Sequence, residues 1–90
     1  MNKPTKNSRL VAAIILSEWL ENGSFPEQRL SKIKDSRFFV MEVVHGCIRK
    51  NSILMWAMDR WVKNPPTFLT QAIIHVGFYQ ILFMDNIEVY

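Results

Sequence analysis

Residues 73 to 85 read IIHVGFYQILFMD, and apart from His75 and Gln80 the run offers water almost nothing before Asp85. Such a run is a membrane span, a buried helix or a surface awaiting a partner, and the choice among these decides the fold. A helix that crosses a bilayer needs about 20 consecutive apolar residues. This run is shorter, is interrupted by an imidazole and an amide, and follows NPPTFLTQ (residues 64 to 71), so no membrane partner is expected. At helical spacing Leu69, Ala72, Ile73, Val76, Gln80 and Phe83 form one stripe, while Ile74, Phe78, Ile81 and Leu82 fall mostly outside it. A helix that is apolar nearly all round belongs inside a bundle. Gly77 costs such a helix about 1 kcal/mol relative to alanine. The cost is offset if the missing side chain lets a neighbouring backbone approach, so a tight helix crossing is expected at Gly77.

Working outward, the chain divides at stop and start signals. SRLVAAIILSEWLE (8 to 21) is rich in helix formers, with Leu10, Ala13, Ile14 and Leu20 near one face and Trp19 beside them, and Asn22-Gly23 closes it. In SFPEQRLSKI, Ser24 and Pro26 are placed to open a short helix with only Leu30 and Ile33 to bury. Asp35 or Ser36 caps a third helix, RFFVMEVVHGCIRK, in which Phe39, Val43 and Cys47 recur every four residues with Val40, Val44 and Ile48 alongside. Asn51 or Ser52 caps a fourth, where Ile53, Leu54, Ala57, Met58 and Trp61 repeat with the same period. Pro65 and Pro66 then break the chain, and Thr67 caps the fifth helix. The expectation is an all-α bundle of five helices with short connections and no strand.

Ninety residues make one domain at most, covering residues 1 to 90, with a core so small that nearly every apolar side chain is needed. The hydrophobic share of 49% against 21% charged argues for a folded domain over disorder. Cys47 is the only cysteine, which excludes an internal disulfide, a four-cysteine zinc site and a CxxC redox pair. A reducing compartment fits best, and the basic start MNKPTKNSRL lacks the cleavage site of a secretory signal, so a cytoplasmic location is expected.

Charge is unevenly spread. Up to Arg37 the chain carries Lys3, Lys6, Arg9, Arg29, Lys32, Lys34 and Arg37 against Glu18, Glu21, Glu27 and Asp35. Beyond Lys63 it carries only Asp85 and Glu88. Lys3, Lys6 and Arg9 recur every three residues into the first helix and could align along a phosphate backbone. A solvated basic tail that keeps the domain soluble explains the same residues. Arg49 and Lys50 end the third helix, where cations also complement the helix dipole.

Catalytic constellations are missing from the pattern. General acid and base chemistry wants titratable groups converging on one pocket, whereas His45 and His75 fall on different helices among apolar neighbours. Cys47 lies on an apolar stripe, and the sequence sets no base beside it. Metal-ligand spacings and glycine-rich phosphate loops are absent, so neither a cofactor nor a metal is expected and the chain is not expected to be an enzyme by itself.

Three stretches, SRLVAAIILSEWL, DSRFFVMEVVHGCIRK and VGFYQILFMDNI, resemble in order and spacing the most characteristic parts of the NusB-like RNA-binding domain. The resemblance is closer to the domain at the N-terminus of Sun/RsmB-type ribosomal RNA cytosine-5 methyltransferases than to the antitermination factor NusB. It is carried by Arg37, Phe38, Phe39, Gly46 and Arg49 in the third helix and by Val76 through Asp85 in the fifth. Glu88 stands where the family usually has a proline, and His75 where it usually has a basic residue.

The resemblance implies a NusB-like helical bundle of which this chain holds about five of seven helices, C-terminally incomplete. It implies RNA, ribosomal in the methyltransferase group, as partner, with a ribosomal protein or a methyltransferase domain as further partners. The implied RNA-binding residues are Lys3, Lys6 and Arg9, with Arg37, Arg49 and Lys50 as weaker candidates. In the complete fold later helices cover the fifth, so Phe78, Ile81, Leu82 and Phe83 are expected to form a partner or oligomer interface. Leaving three such side chains in water forgoes roughly 5 to 9 kcal/mol, hence the expectation of a homo-oligomer. The competing reading is a protein-interaction domain that does not bind RNA.

Overall fold

The computed structural model describes residues 6 to 62, 64 and 66 to 84. Five α-helices follow one another: α1 (Lys6–Asn22), α2 (Glu27–Leu30), α3 (Arg37–Arg49), α4 (Asn51–Trp61) and α5 (Phe68–Tyr79), the last continuing into a π-helical turn, Gln80–Met84. No strand occurs among the described residues. The all-α expectation therefore holds, with α2 reduced to one turn.

Helix α5 is the hub, packing against α1, α3 and α4, while α1 and α3 also meet directly. The core is built from Ala12, Ala13, Ile15 and Leu16 of α1, Phe39, Val40, Val43, Val44 and Cys47 of α3, and Ala72, Val76 and Tyr79 of α5, with Leu30 and Leu54 closing its edges. Among the described residues no helix is long and apolar enough to cross a membrane.

The four-residue spacing in α3 is realised as read: Phe39, Val43 and Cys47 are buried with Val40 and Val44 beside them. Thr67 caps α5 as expected, its hydroxyl accepting from the Thr70 N–H at 3.2 Å. Gly23, at φ 73°, closes α1 by donating to the Trp19 carbonyl at 2.8 Å, a backbone conformation that glycine adopts without a steric penalty.

Other expectations are corrected. In α1 the residues turned inward are Ala12, Ala13, Ile15 and Leu16, while Leu10 and Ile14, expected inside, are exposed. In α5 Leu69 and Ile73 leave the expected stripe for solvent, and His75, not Gln80, is fully buried. Both helices are apolar over so much of their circumference that periodicity alone does not fix their rotation. In α4 Leu54 and Met58 are buried, but Ile53 and Trp61 face outward.

The caps also differ. Neither Asn51 nor Ser52 caps α4, because Asn51 is already helical and Lys50 alone joins α3 to α4. Ser36 stands at the cap position of α3 in a left-handed conformation, and its hydroxyl is not the cap acceptor. Ser24 does not cap α2, since its hydroxyl meets the Asn22 side chain. The close approach occurs at Gly46 and not at Gly77, and it is made by a side chain: a Cβ on Gly46 would overlap the Tyr79 ring, whereas no atom of a neighbouring element lies within 4 Å of one on Gly77.

Candidate nucleic-acid interface

The crossing of α3 and α5 organises the candidate site. Because Gly46 has no side chain, the Tyr79 ring passes over α3, and its hydroxyl donates to Glu42 Oε2 at 2.6 Å. Burial first, and then the hydrogen bond and negative charge of Glu42, push the Tyr79 phenol up to about 12, so it stays a donor at neutral pH. Glu42 Oε2 also faces Arg49 Nη2 at 3.8 Å, with both side chains more than half exposed. That ion pair is long and solvated and contributes little to stability, so the guanidinium stays available to a ligand.

One turn further, the Phe83 ring lies 5.3 Å from that of Tyr79, centroid to centroid. The Lys50 ammonium sits 5.2 Å above the Phe83 ring, within cation-π range. On its other side the helix meets α1: Gly77 and Gln80 share a groove of about 330 Å³ with Arg9, Leu10, Ala13, Ile73 and Val76. Arg9 and Lys50 thus flank the same C-terminal end of α5, with Arg49 next to Lys50 in the chain.

Of the sequence-predicted RNA-binding residues, Arg9, Arg49 and Lys50 are brought to this end of the bundle. Arg37 is exposed at the opposite end of α3, roughly 18 Å away at 1.5 Å per residue. Lys3 and the side chain of Lys6 lie outside the described residues. The predicted interface residues divide between two environments. Ile81 and Leu82 are 61% and 45% exposed, whereas Phe78 and Phe83 are partly buried against the core.

Cys47 and the two histidines occupy three different environments. Cys47 is buried and its thiol points to the His75 carbonyl at 3.7 Å. Burial pushes that thiol up to about 12, which keeps it protonated. His75 is buried with neither ring nitrogen hydrogen-bonded among the described residues, and burial holds its pKa below the ordinary value. His45, at the surface, has Nε2 3.4 Å from Glu27 Oε2. Among the described residues no group of three or more His, Cys, Asp and Glu side chains could hold a metal ion.

A second feature, not expected from the sequence, lies at the α1–α2 connection. Phe25, in the α1–α2 connection, closes a groove with Trp19, Pro26, Glu27, His45 and Arg49. Its aromatic content was visible in the sequence, but its closure joins residues far apart in the chain. Comparison with protein-family models, curated proteins and solved structures returned no match.

Proposed function

We propose that the chain is an RNA-binding module of NusB type, supplying substrate binding for ribosomal RNA methylation or acting in transcription antitermination, and contributing no catalysis of its own. The observation that carries this reading is that Arg9 borders the C-terminal end of α5 on one side and Lys50 on the other, with Arg49 next to Lys50 in the chain. Lys3 and Lys6 precede Arg9 in sequence and extend the same basic run. A net charge of +3 on 90 residues supports a polyanionic partner. Phosphate contacts of this kind give salt-sensitive affinity with little choice of sequence. Gel shifts of a single-stranded ribosomal RNA fragment at two salt concentrations test it, comparing the wild type with Lys6→Ala, Arg9→Ala and Lys50→Ala. Affinity untouched by all three changes would remove this end of the bundle from consideration.

A second reading rests on Ile81 and Leu82, adjacent apolar side chains in the π-helical turn that remain exposed. Their burial between two copies would make the module a homo-oligomer. A ribosomal protein or a methyltransferase domain would be alternative occupants of the same face.

A further inference from the structure

The groove at the α1–α2 connection does not belong to the phosphate-facing end of α5, although Arg49 borders both. Its volume, about 350 Å³, falls within the range of small-ligand sites. Phe25 is 84% exposed, an unfavourable position for an aromatic ring unless something stacks on it.

The connection presents the ring to solvent. Gly23 turns the chain in a left-handed conformation, the Asn22 side chain accepts the Ser24 N–H at 3.1 Å, and Pro26 is buried directly after the ring. Trp19 supplies a second aromatic wall. His45 Nε2 is shielded from water and, although 3.4 Å from Glu27 Oε2, is not aligned for a hydrogen bond, so it has no partner among the described residues. Arg49 stands at the rim with its side chain 59% exposed.

We propose that this groove takes one unpaired nucleobase of a single-stranded RNA, stacked on Phe25 against the Trp19 wall. The base edge meets the exposed Glu27 carboxylate, and the adjoining phosphate meets Arg49. This inference rests on the RNA-binding reading and deepens it, because a phosphate-only track carries no base contact. Stacking tolerates any base, since each has a π-face, whereas the Glu27 carboxylate at the groove accepts hydrogen bonds and so favours base edges that carry donors.

The test compares fluorescence anisotropy of a uridine-rich RNA strand and an abasic strand of equal length, binding to the wild type, Phe25→Ala and Phe25→Tyr at low salt. Phe25→Ala is expected to weaken binding of the base-bearing strand by about five- to a hundredfold, to leave the abasic strand unaffected, and to be rescued by Phe25→Tyr. An unchanged affinity in Phe25→Ala, or an equal loss on both strands, overturns the groove assignment. If the wild type binds the two strands equally, the phosphate track stands and the groove does not. If it binds neither, the RNA reading falls and the groove falls with it. Phe25 is a surface loop residue, so each variant is expected to fold.

Discussion

The tip of the Tyr79 ring occupies the place on Gly46 where any other residue would carry its Cβ. Two glycines that look alike in the sequence therefore have opposite sensitivities. Gly46→Ala is expected to destabilise the fold by about 1 to 3 kcal/mol through overpacking, more than the ~1 kcal/mol of helix propensity that alanine gains. Gly77→Ala meets no atom of a neighbouring element within 4 Å and is expected to stabilise by up to about 1 kcal/mol. Urea denaturation of both variants checks the contrast, and equal midpoint shifts would contradict the packing.

Acid should weaken the fold through His75. Burial lowers its pKa from 6.5, so the unfolded chain takes up the proton first. The associated stability is complete above pH 6.5 and is lost as pH falls below it, by at most about 1.4 kcal/mol per pH unit, until the folded-state pKa is passed. His75→Leu is expected to flatten this slope between pH 7 and 5. A slope identical to that of the wild type would show that other groups set it.

Cys47 should resist modification. With no exposed surface and its pKa raised from 9.0 to about 12, its thiol is expected to react with a chromogenic thiol reagent only at the rate of global opening. The raised pKa values of Cys47 and Tyr79 carry the opposite sign to that of His75. Their stability is present below about pH 9 and is lost as pH climbs toward 12. Rapid labelling at pH 8 in the absence of denaturant would place the thiol at the surface.

Removing both Arg9 and Lys50 should weaken RNA binding and also reduce its dependence on salt. Each phosphate contact to a single strand contributes about 0.7 to the slope of log affinity against log salt, so the double alanine variant should lower the slope by about 1.4. Loss of affinity with an unchanged slope would assign these residues a structural role.

Ile81→Glu combined with Leu82→Glu should abolish self-association in a sedimentation experiment while leaving the helical signal intact, since neither residue belongs to the buried core. A wild type that sediments as a clean monomer at tens of micromolar would remove the homo-oligomer reading.

Legibility in the sequence followed contrast between faces. In α3 the apolar positions alternate with Arg37, Glu42 and Arg49, and both the boundaries and the inward face were readable. In α1 and α5 apolar residues run round the helix, so Leu10 and Ile73 were read as core while Ile15 and Leu16 were not singled out. His75 resisted reading for a related reason, because a polar residue on an apolar helix is ordinarily turned outward. The cations of the candidate site were legible as residues, whereas the placing of Arg9 and Lys50 on either side of one helix end required the α1–α5 pairing. The Phe25 groove depended on the α1–α2 connection settling against α3, a contact between segments about twenty residues apart.

Lys50 is the whole of the joint between α3 and α4. An α-helix advances about 100° per residue, so one residue added within a helical continuation of this joint would swing Leu54 and Met58 away from the interior and carry Ile53 and Ala57 into their places. The spacing between these two rods is thus a molecular gauge that tolerates substitution but not a change of length.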